Sequence, residues 1–565
     1  MTTTSYEPRS GPGRLARAGV ICLVAYLLIT ALTPFGAAKS PDGFRYLDVA
    51  LNIREGRGVV VAQEVAADDP GAPTPDGTHR AFTTYAPLYP AVLAPFVSAE
   101  EPVERGAARL AVLALFVSGL LLSELLVPVV GPTVGLLGTL LFLVAQPTLT
   151  VFTYAISEVV MVPMLLFSCW CCLRCLEAED TDRNTAQAVF LALATTGLIG
   201  TAYTRYIGAI FGVLLPVTWL LSPDRRRWWR RYAVACAVTL GAMAAWYVRN
   251  AAVSGTISGA RPESQRGVGT NIVDLALALL SQVGRTPAAL GVALVAATAI
   301  AVLWLRTPST PRPSPAARPA RLVWLSAAAG GTYTVGLVMA ASVTVIDRLD
   351  TRFVTPTFLF LLILLVVAGA RAHQTPGRPM GAGVQLAAVV AVLALVAAQG
   401  AATFRTATAG WASGDGPMFI LSGDDRYYNY TATPPRRLPT TIAGLEAALG
   451  DTTRGPYQIH RRLAQLYAAR GDVASSLVHT RECLRLNRAQ AQVDIVEISN
   501  EYFQQPTLYR SGIEYYDSLM RDLPAAWWVH ANIATLAERL GDQELARSAR
   551  ARADALRAGE LGTPR

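Results

Sequence analysis

Apolar runs long enough to cross a bilayer recur along the first four hundred residues, separated by short polar loops. The pattern predicts spans near 17–37, 106–127, 130–148, 155–173, 185–202, 206–222, 232–249, 286–306, 322–345, 353–370 and 382–401, about eleven helices. The run 272–284 is shorter and is expected to lie in the interface. From Tyr457 the pattern changes to amphipathic helices with polar outer faces. The predicted fold class is all-α: a polytopic membrane helical bundle followed by a smaller α-helical domain.

Composition agrees with that division. Of 565 residues, 52% are hydrophobic and 16% charged, and the mean hydropathy is +0.35. These values exclude a disordered chain and disfavour an ordinary soluble enzyme. The formal charge of +9 does not imply nucleic acid, because the basic residues follow membrane topology. Arg9, Arg14 and Arg17 precede the first span, Arg225, Arg226, Arg227, Arg230 and Arg231 follow the sixth, and Arg371 and Arg378 follow the tenth. The loop RTPSTPRPSPAARPAR follows the eighth. With the N-terminus cytoplasmic, all of them fall on the inner face. The loop 38–105 and the tail from Ala402 then face outward. The first run is too long, and too poorly followed by a cleavage site, to read as a removable signal peptide. The cysteines Cys169, Cys171, Cys172 and Cys175 lie on an apolar helix with no nearby histidine or carboxylate cluster, which argues against a zinc site.

The outer loop opens with SPDGFRYLDVALNIREGRG. Tyr46, Leu47, Ala50, Leu51 and Ile53 fall at helical spacing, so an amphipathic helix on the outer membrane surface is predicted, with Asp42 in N-cap position. Asp48, a turn further on, reads as a solvated face residue, and Asp68 and Asp69 as part of a solvated loop tip. The loop closes with FTTYAPLYPAVLAPF, whose prolines bar a plain helix at its start.

In the tail, IHRRLAQLYAARGDVASSLVHTRECLRLN reads as helix, Gly-Asp turn, helix, and ANIATLAERLGDQELARSARARADALR repeats it. Gly471-Asp472 and Gly541-Asp542 stand two repeats apart for a period near 34 residues. The tail therefore resembles a short tetratricopeptide (TPR) array of about three repeats, with a generic helical domain as the plainer reading. The expected organisation is a cytoplasmic segment 1–16, a membrane domain 17–401, a linker 402–456 and an outward helical domain 457–565.

The order of motifs carries a resemblance. Asp42, Tyr46, Ala50, Ile53, Gly56 and Gly58 stand in the outer loop, and Pro87, Leu88, Tyr89 and Pro90 before the second span. Ser157-Glu158 opens the fourth span. TAYTRYIG carries Arg205 and Gly208, WYVRN runs from Trp246 to Asn250, and RLDTRFVTP carries Arg352, Phe353 and Pro356. Over residues 15–400 this resembles the GT-C class of membrane glycosyltransferases, in the branch of protein O-mannosyltransferase-like and aminoarabinose-transferase-like enzymes. The resemblance implies a polyprenyl-phosphate-linked sugar donor and inversion at the anomeric carbon. The chain departs from the family pattern at Ala86, where a proline is usual, and at Gly43, where an acid would complete a D-E pair. Lys39 is the only lysine and flanks the first span, so donor binding is left to arginines.

The chemistry points the same way. An acceptor hydroxyl is a poor nucleophile at neutral pH and is helped by a carboxylate base. A departing lipid phosphate needs positive charge, and the arginine fork suits it. Asp42 is the candidate base, or only a helix cap. Glu158 positions the acceptor or a metal, or pairs with an arginine of another span. Arg205, Arg249, Arg348 and Arg352 are candidates for the donor phosphate, or snorkel to headgroups. Tyr46, Tyr85 and Tyr89 are candidates for stacking on sugar, or are interfacial anchors. No cofactor is required; a divalent metal could be held by Asp42 and Glu158, but no ligand spacing demands it. Expected partners are the lipid-linked donor, membrane lipid, a protein or glycan acceptor and a protein bound by the tail, but no nucleic acid. The alternatives are an oligosaccharide ligase or polymerase of the cell envelope, and a non-enzymatic scaffold presenting the tail.

Overall fold

The computed structural model describes residues 11–33, 36–38, 41–62, 79–98, 103–259, 267–281, 317–343, 351–373, 441–449, 456–486, 505–524 and 526–562, with short pieces between 491 and 503. The expected spans 286–306 and 382–401, the linker up to residue 440, the Asp68-Asp69 tip and Arg348 lie outside the described residues, and the end of the expected linker is not extended but forms a helix over Ile442–Ala448 whose Leu445 packs on Ile459 and Leu463. The chain divides into two units, 1–429 and 430–565.

In the first unit, α1 (Gly11–Leu32) leads into the outer-loop segment, made of α2 (Pro41–Arg54), β1 (Val60–Ala62), β2 (His79–Ala81) and α3 (Leu88–Leu93). Then follow α4 (Val103–Val130), α5 (Pro132–Val144), α6 (Gln146–Phe152), α7 (Glu158–Asp180) and α8 (Asn184–Thr204). A 3₁₀ helix (Tyr206–Val213) precedes α9 (Leu214–Leu221), α10 (Arg225–Ser254), α11 (Val268–Ser281), α12 (Arg318–Val343) and α13 (Thr351–His373). Six of these helices, α1, α4, α7, α8, α10 and α12, are long and apolar enough to cross a membrane. The chain is a multi-pass helical membrane protein.

Two expected spans are broken. The run 130–148 divides into α5 and α6 where Ala145 turns extended ahead of Gln146-Pro147. The run 206–222 begins as a 3₁₀ helix. Its entry depends on Gly208: a Cβ there would stand 2.2 Å from the Thr201 carbonyl oxygen, so only glycine lets the chain double back on the end of α8. Arg205, between the two helices, is extended (φ −149°, ψ 138°).

At the end of the bundle remote from the outer loop, arginines tie helices together. Arg14 pairs with Glu124 at 2.5 Å, Arg318 with Glu177, and the buried Arg321 with Asp180 at 2.8 Å through Nη2. Beside them Glu179 accepts from Ser222 Oγ (2.5 Å), Tyr232 Oη (2.9 Å) and Gln187 Nε2 (3.2 Å), which satisfies a buried carboxylate.

The helix α2 is not a surface helix. Tyr46, Leu47, Asp48, Val49, Ala50, Leu51 and Asn52 are all buried, so protein surrounds its middle. Burial of each large apolar side chain here stabilises by roughly 1.5–3 kcal/mol. Asp48 is correspondingly not solvated. Its Oδ2 accepts from Ala62 N (2.7 Å) and Asn52 Nδ2 (3.1 Å), and Asn52 also donates to Val60 O (2.8 Å). These bonds clamp β1 onto α2 and offset the cost of burying the acid. β1 pairs antiparallel with β2 in the register Val60–Ala81, Val61–Arg80 and Ala62–His79.

The second unit is helical: α14 (Ile442–Ala448), α15 (Pro456–Ala469), α16 (Val473–Leu486), α17 (Tyr509–Leu519), α18 (Trp527–Leu540) and α19 (Gln543–Gly562). α15–α16 and α18–α19 turn the same way. Gly471 and Gly541 adopt left-handed conformations (φ 75° and 83°). Asp472 and Asp542 then cap the next helix, accepting from Ser475 N (3.0 Å) and Leu545 N (3.1 Å).

Candidate functional site

The start of the outer-loop segment is fixed to the entrance of α7. Ala38 N donates to Thr153 O and Ala155 N to Ala38 O, each at 2.8 Å, a short parallel bridge. This brings Pro41-Asp42 to the neighbourhood of Ser157-Glu158. Asp42 is the second residue of α2 rather than the residue before it, where an anion also faces favourable helix-terminal charge.

Tyr85 Oη donates to Asp42 Oδ1 at 2.6 Å. The other carboxylate oxygen lies 3.8 Å from Arg352 Nη1, in the first turn of α13. Arg352 is almost fully buried, whereas Asp42 keeps 25% of its side chain exposed, so the pair opens toward solvent on the acidic side. Beside it Glu158, buried, pairs with Arg205, and Ser157 Oγ donates to Glu158 at 3.3 Å. Both guanidinium groups face the ring of Phe353, Arg352 at 4.5 Å and Arg205 at 5.2 Å from its centre. Tyr333 Oη donates to Phe353 O at 3.0 Å and fixes that residue.

Aromatic rings form the adjacent wall. Tyr46 lies 5.4 Å from Tyr85 and 5.1 Å from Tyr89 between ring centres, with Phe82 at 6.2 Å. Burial pushes all three phenols above the usual tyrosine range, and nearby Asp42 adds to this for Tyr46 and Tyr85. They remain neutral hydrogen-bond donors. The Tyr89 hydroxyl is buried without a hydrogen-bond partner among the described residues.

Of the residues singled out from the sequence, Asp42, Tyr46, Tyr85, Tyr89, Glu158, Arg205 and Arg352 thus stand in one cluster. Arg249 is instead bound to the backbone of the 82–85 segment. Its Nη1 donates to Phe82 O (2.9 Å) and Asn250 Oδ1 (3.0 Å), and its guanidinium lies on Trp246 at 4.8 Å. Arg348 lies outside the described residues. Among the described residues no group of three or more His, Cys, Asp or Glu is arranged to hold a metal ion. Tyr206 and Asn250 stand inside sequence motifs without a role of their own there, yet both hold the loop that carries Tyr85: Tyr206 Oη donates to Thr83 O at 2.7 Å, and Asn250 Nδ2 donates to Tyr206 Oη at 2.8 Å.

No family model matches the chain, and no curated protein matches it. Solved structures similar to it include two of one protein. One is ArnT from Cupriavidus metallidurans bound to undecaprenyl phosphate, at TM-score 0.46 and 14% identity, covering 92% of this chain and 81% of that one. The other is the same protein in the apo state, at TM-score 0.45 and 15% identity, covering 91% and 81%.

Proposed function

We propose that the chain is an inverting GT-C glycosyltransferase. It would move a sugar from a polyprenyl-phosphate-linked donor to an acceptor hydroxyl at the outer face of the membrane. The observation that carries this reading is the Asp42 carboxylate, partly open to solvent, held by Tyr85 at 2.6 Å and facing the buried Arg352 guanidinium at 3.8 Å. This contact supports Asp42 as the base and Arg352 as a phosphate-binding cation beside it.

In this reading Asp42 takes the acceptor's proton as the hydroxyl oxygen attacks the anomeric carbon. The bond from that carbon to the phosphate oxygen breaks, and the electron pair leaves on the lipid phosphate. Arg352 and Arg205 stabilise that growing charge, with Arg348 as a further candidate. Glu158 holds Arg205 in place while guanidinium N–H groups remain for the phosphate. Tyr46, Tyr85 and Tyr89 present neutral phenols and ring faces to the sugar. The helical tail, read as a TPR-like array, recruits the acceptor or a protein partner.

The test is mass spectrometry of cell-envelope glycans and glycoproteins in a deletion strain, complemented with the wild-type chain or with Asp42→Asn. A glycan lost on deletion, restored by wild type and not by the variant is the expected result. Restoration by both would leave a scaffold as the better account.

A further inference from the structure

We infer that Tyr206 is a positioning residue. Its hydroxyl ties the end of α10 to the segment that presents Tyr85 to Asp42. For its effect on transfer the inference rests on the glycosyltransferase reading; for its effect on the segment it does not.

The argument starts with one oxygen. Tyr206 Oη donates to Thr83 O at 2.7 Å, with Tyr85 O at 3.2 Å as a weaker second acceptor. It accepts from Asn250 Nδ2 at 2.8 Å and from Trp246 Nε1 at 3.3 Å. A hydroxyl has one proton and two lone pairs, so these contacts use all of its capacity. Asn250 is buried and spends its second amide proton on Ile257 O at 3.1 Å, which holds the turn after α10 in the same network. That turn is packed close: a Cβ on Gly259 would come 2.8 Å from Thr84 Cα. Arg249 adds the bond to Phe82 O. The carbonyls of residues 82, 83 and 85 are therefore all held by α10 and Tyr206.

The front of the same segment faces the site. Between Thr83 and Pro87 it has no regular secondary structure, and two of its carbonyls bond outside it through this one phenol. A 2.6 Å bond from Tyr85 Oη to Asp42 requires the backbone behind it to be fixed. The W-x-x-R-N residues and the tyrosine after Arg205 thus act on Asp42 through Tyr85. This places Arg249 with the positioning network rather than directly on the donor phosphate.

The test is hydrogen–deuterium exchange on the purified full-length protein, comparing wild type, Tyr206→Phe and Tyr203→Phe. Tyr203 Oη donates to Ala242 O at 2.7 Å, a hydroxyl-to-backbone bond between α8 and α10 that does not touch the segment. Peptides covering 82–93 should exchange roughly ten- to a hundredfold faster in Tyr206→Phe and remain unchanged in Tyr203→Phe. Unchanged exchange in Tyr206→Phe, or equal acceleration in both variants, overturns the inference. In the glycan assay, Tyr206→Phe and Tyr85→Phe should each lower transfer, and the double variant should lose no more than the worse single one. Additive losses overturn coupling through Tyr85. Full transfer by Asp42→Asn would sink the glycosyltransferase reading but leave the exchange result intact.

Discussion

Tyr85 and Asp42, 43 residues apart, are joined by a 2.6 Å hydrogen bond that closes the outer-loop segment on itself. The phenol is part-buried, and burial and Asp42 raise its pKa, so it stays neutral and serves the carboxylate as a donor. Tyr85→Phe removes that donor and leaves the ring. Transfer is expected to fall roughly tenfold, the worth of a hydrogen bond to a charged group. The yield and melting temperature of the protein should stay near wild type. Glycan quantification beside a thermal melt checks both halves, and a melt that collapses would assign the bond to folding alone.

Glu158 and Arg205 make a different kind of pair. Glu158 is 1% exposed, so removing either partner leaves a charge without compensation. Glu158→Ala or Arg205→Ala alone should each destabilise by about 3–5 kcal/mol. The double variant should lose less than the sum, because no orphan charge remains. Thermal or denaturant unfolding in detergent of all four proteins gives the coupling directly. Strict additivity would mean that the two groups do not depend on each other.

Tyr89 separates binding from stability. Its hydroxyl is buried without a partner among the described residues, which costs about 1–3 kcal/mol. Tyr89→Phe should therefore leave the melting temperature unchanged or raise it. If the hydroxyl is kept for the sugar, transfer should fall nonetheless. A variant as stable and as active as wild type would reduce Tyr89 to a packing ring.

Much of this was legible in the chain. Hydropathy marked the long helices, and the outer-loop carboxylate and the arginines stood at span ends. What periodicity could not show was depth. The spacing of Tyr46, Leu47, Ala50 and Leu51 marked one apolar face, but α2 is covered on the other face too, because Asp48 and Asn52 bind β1. The breaks at Ala145 and Tyr206 were hidden as well, since apolar content continues through them and only close backbone approach at Gly208 reveals the second. Tyr206 was invisible as a hub because its carbonyl partners lie 123 and 121 residues earlier.

The tail carries a pH dependence of its own. His460 on α15 and His479 on α16 meet with Nδ1 atoms 2.8 Å apart, and Tyr467 stacks on His479 at 5.7 Å. At least one ring must be neutral to accept the bond, because two protonated rings would turn N–H against N–H. Burial lowers both imidazole pKa values, and for His460 the neighbouring His479 and Arg485 add to the fall, while Glu482 opposes it. For His479 only Glu446 pulls the other way. The unfolded chain therefore binds more protons than the folded hairpin between the depressed folded values and the ordinary value near 6.5. Stability of the α15–α16 pair is full above that ordinary value and declines as pH falls through the folded values. Exchange of residues 456–486, corrected for intrinsic rates, should accelerate on going from about pH 7.5 to about pH 5.5. His479→Gln should flatten that response while α18–α19 stays constant in both proteins. An equal pH response in the variant would place the sensitivity elsewhere than the histidine contact.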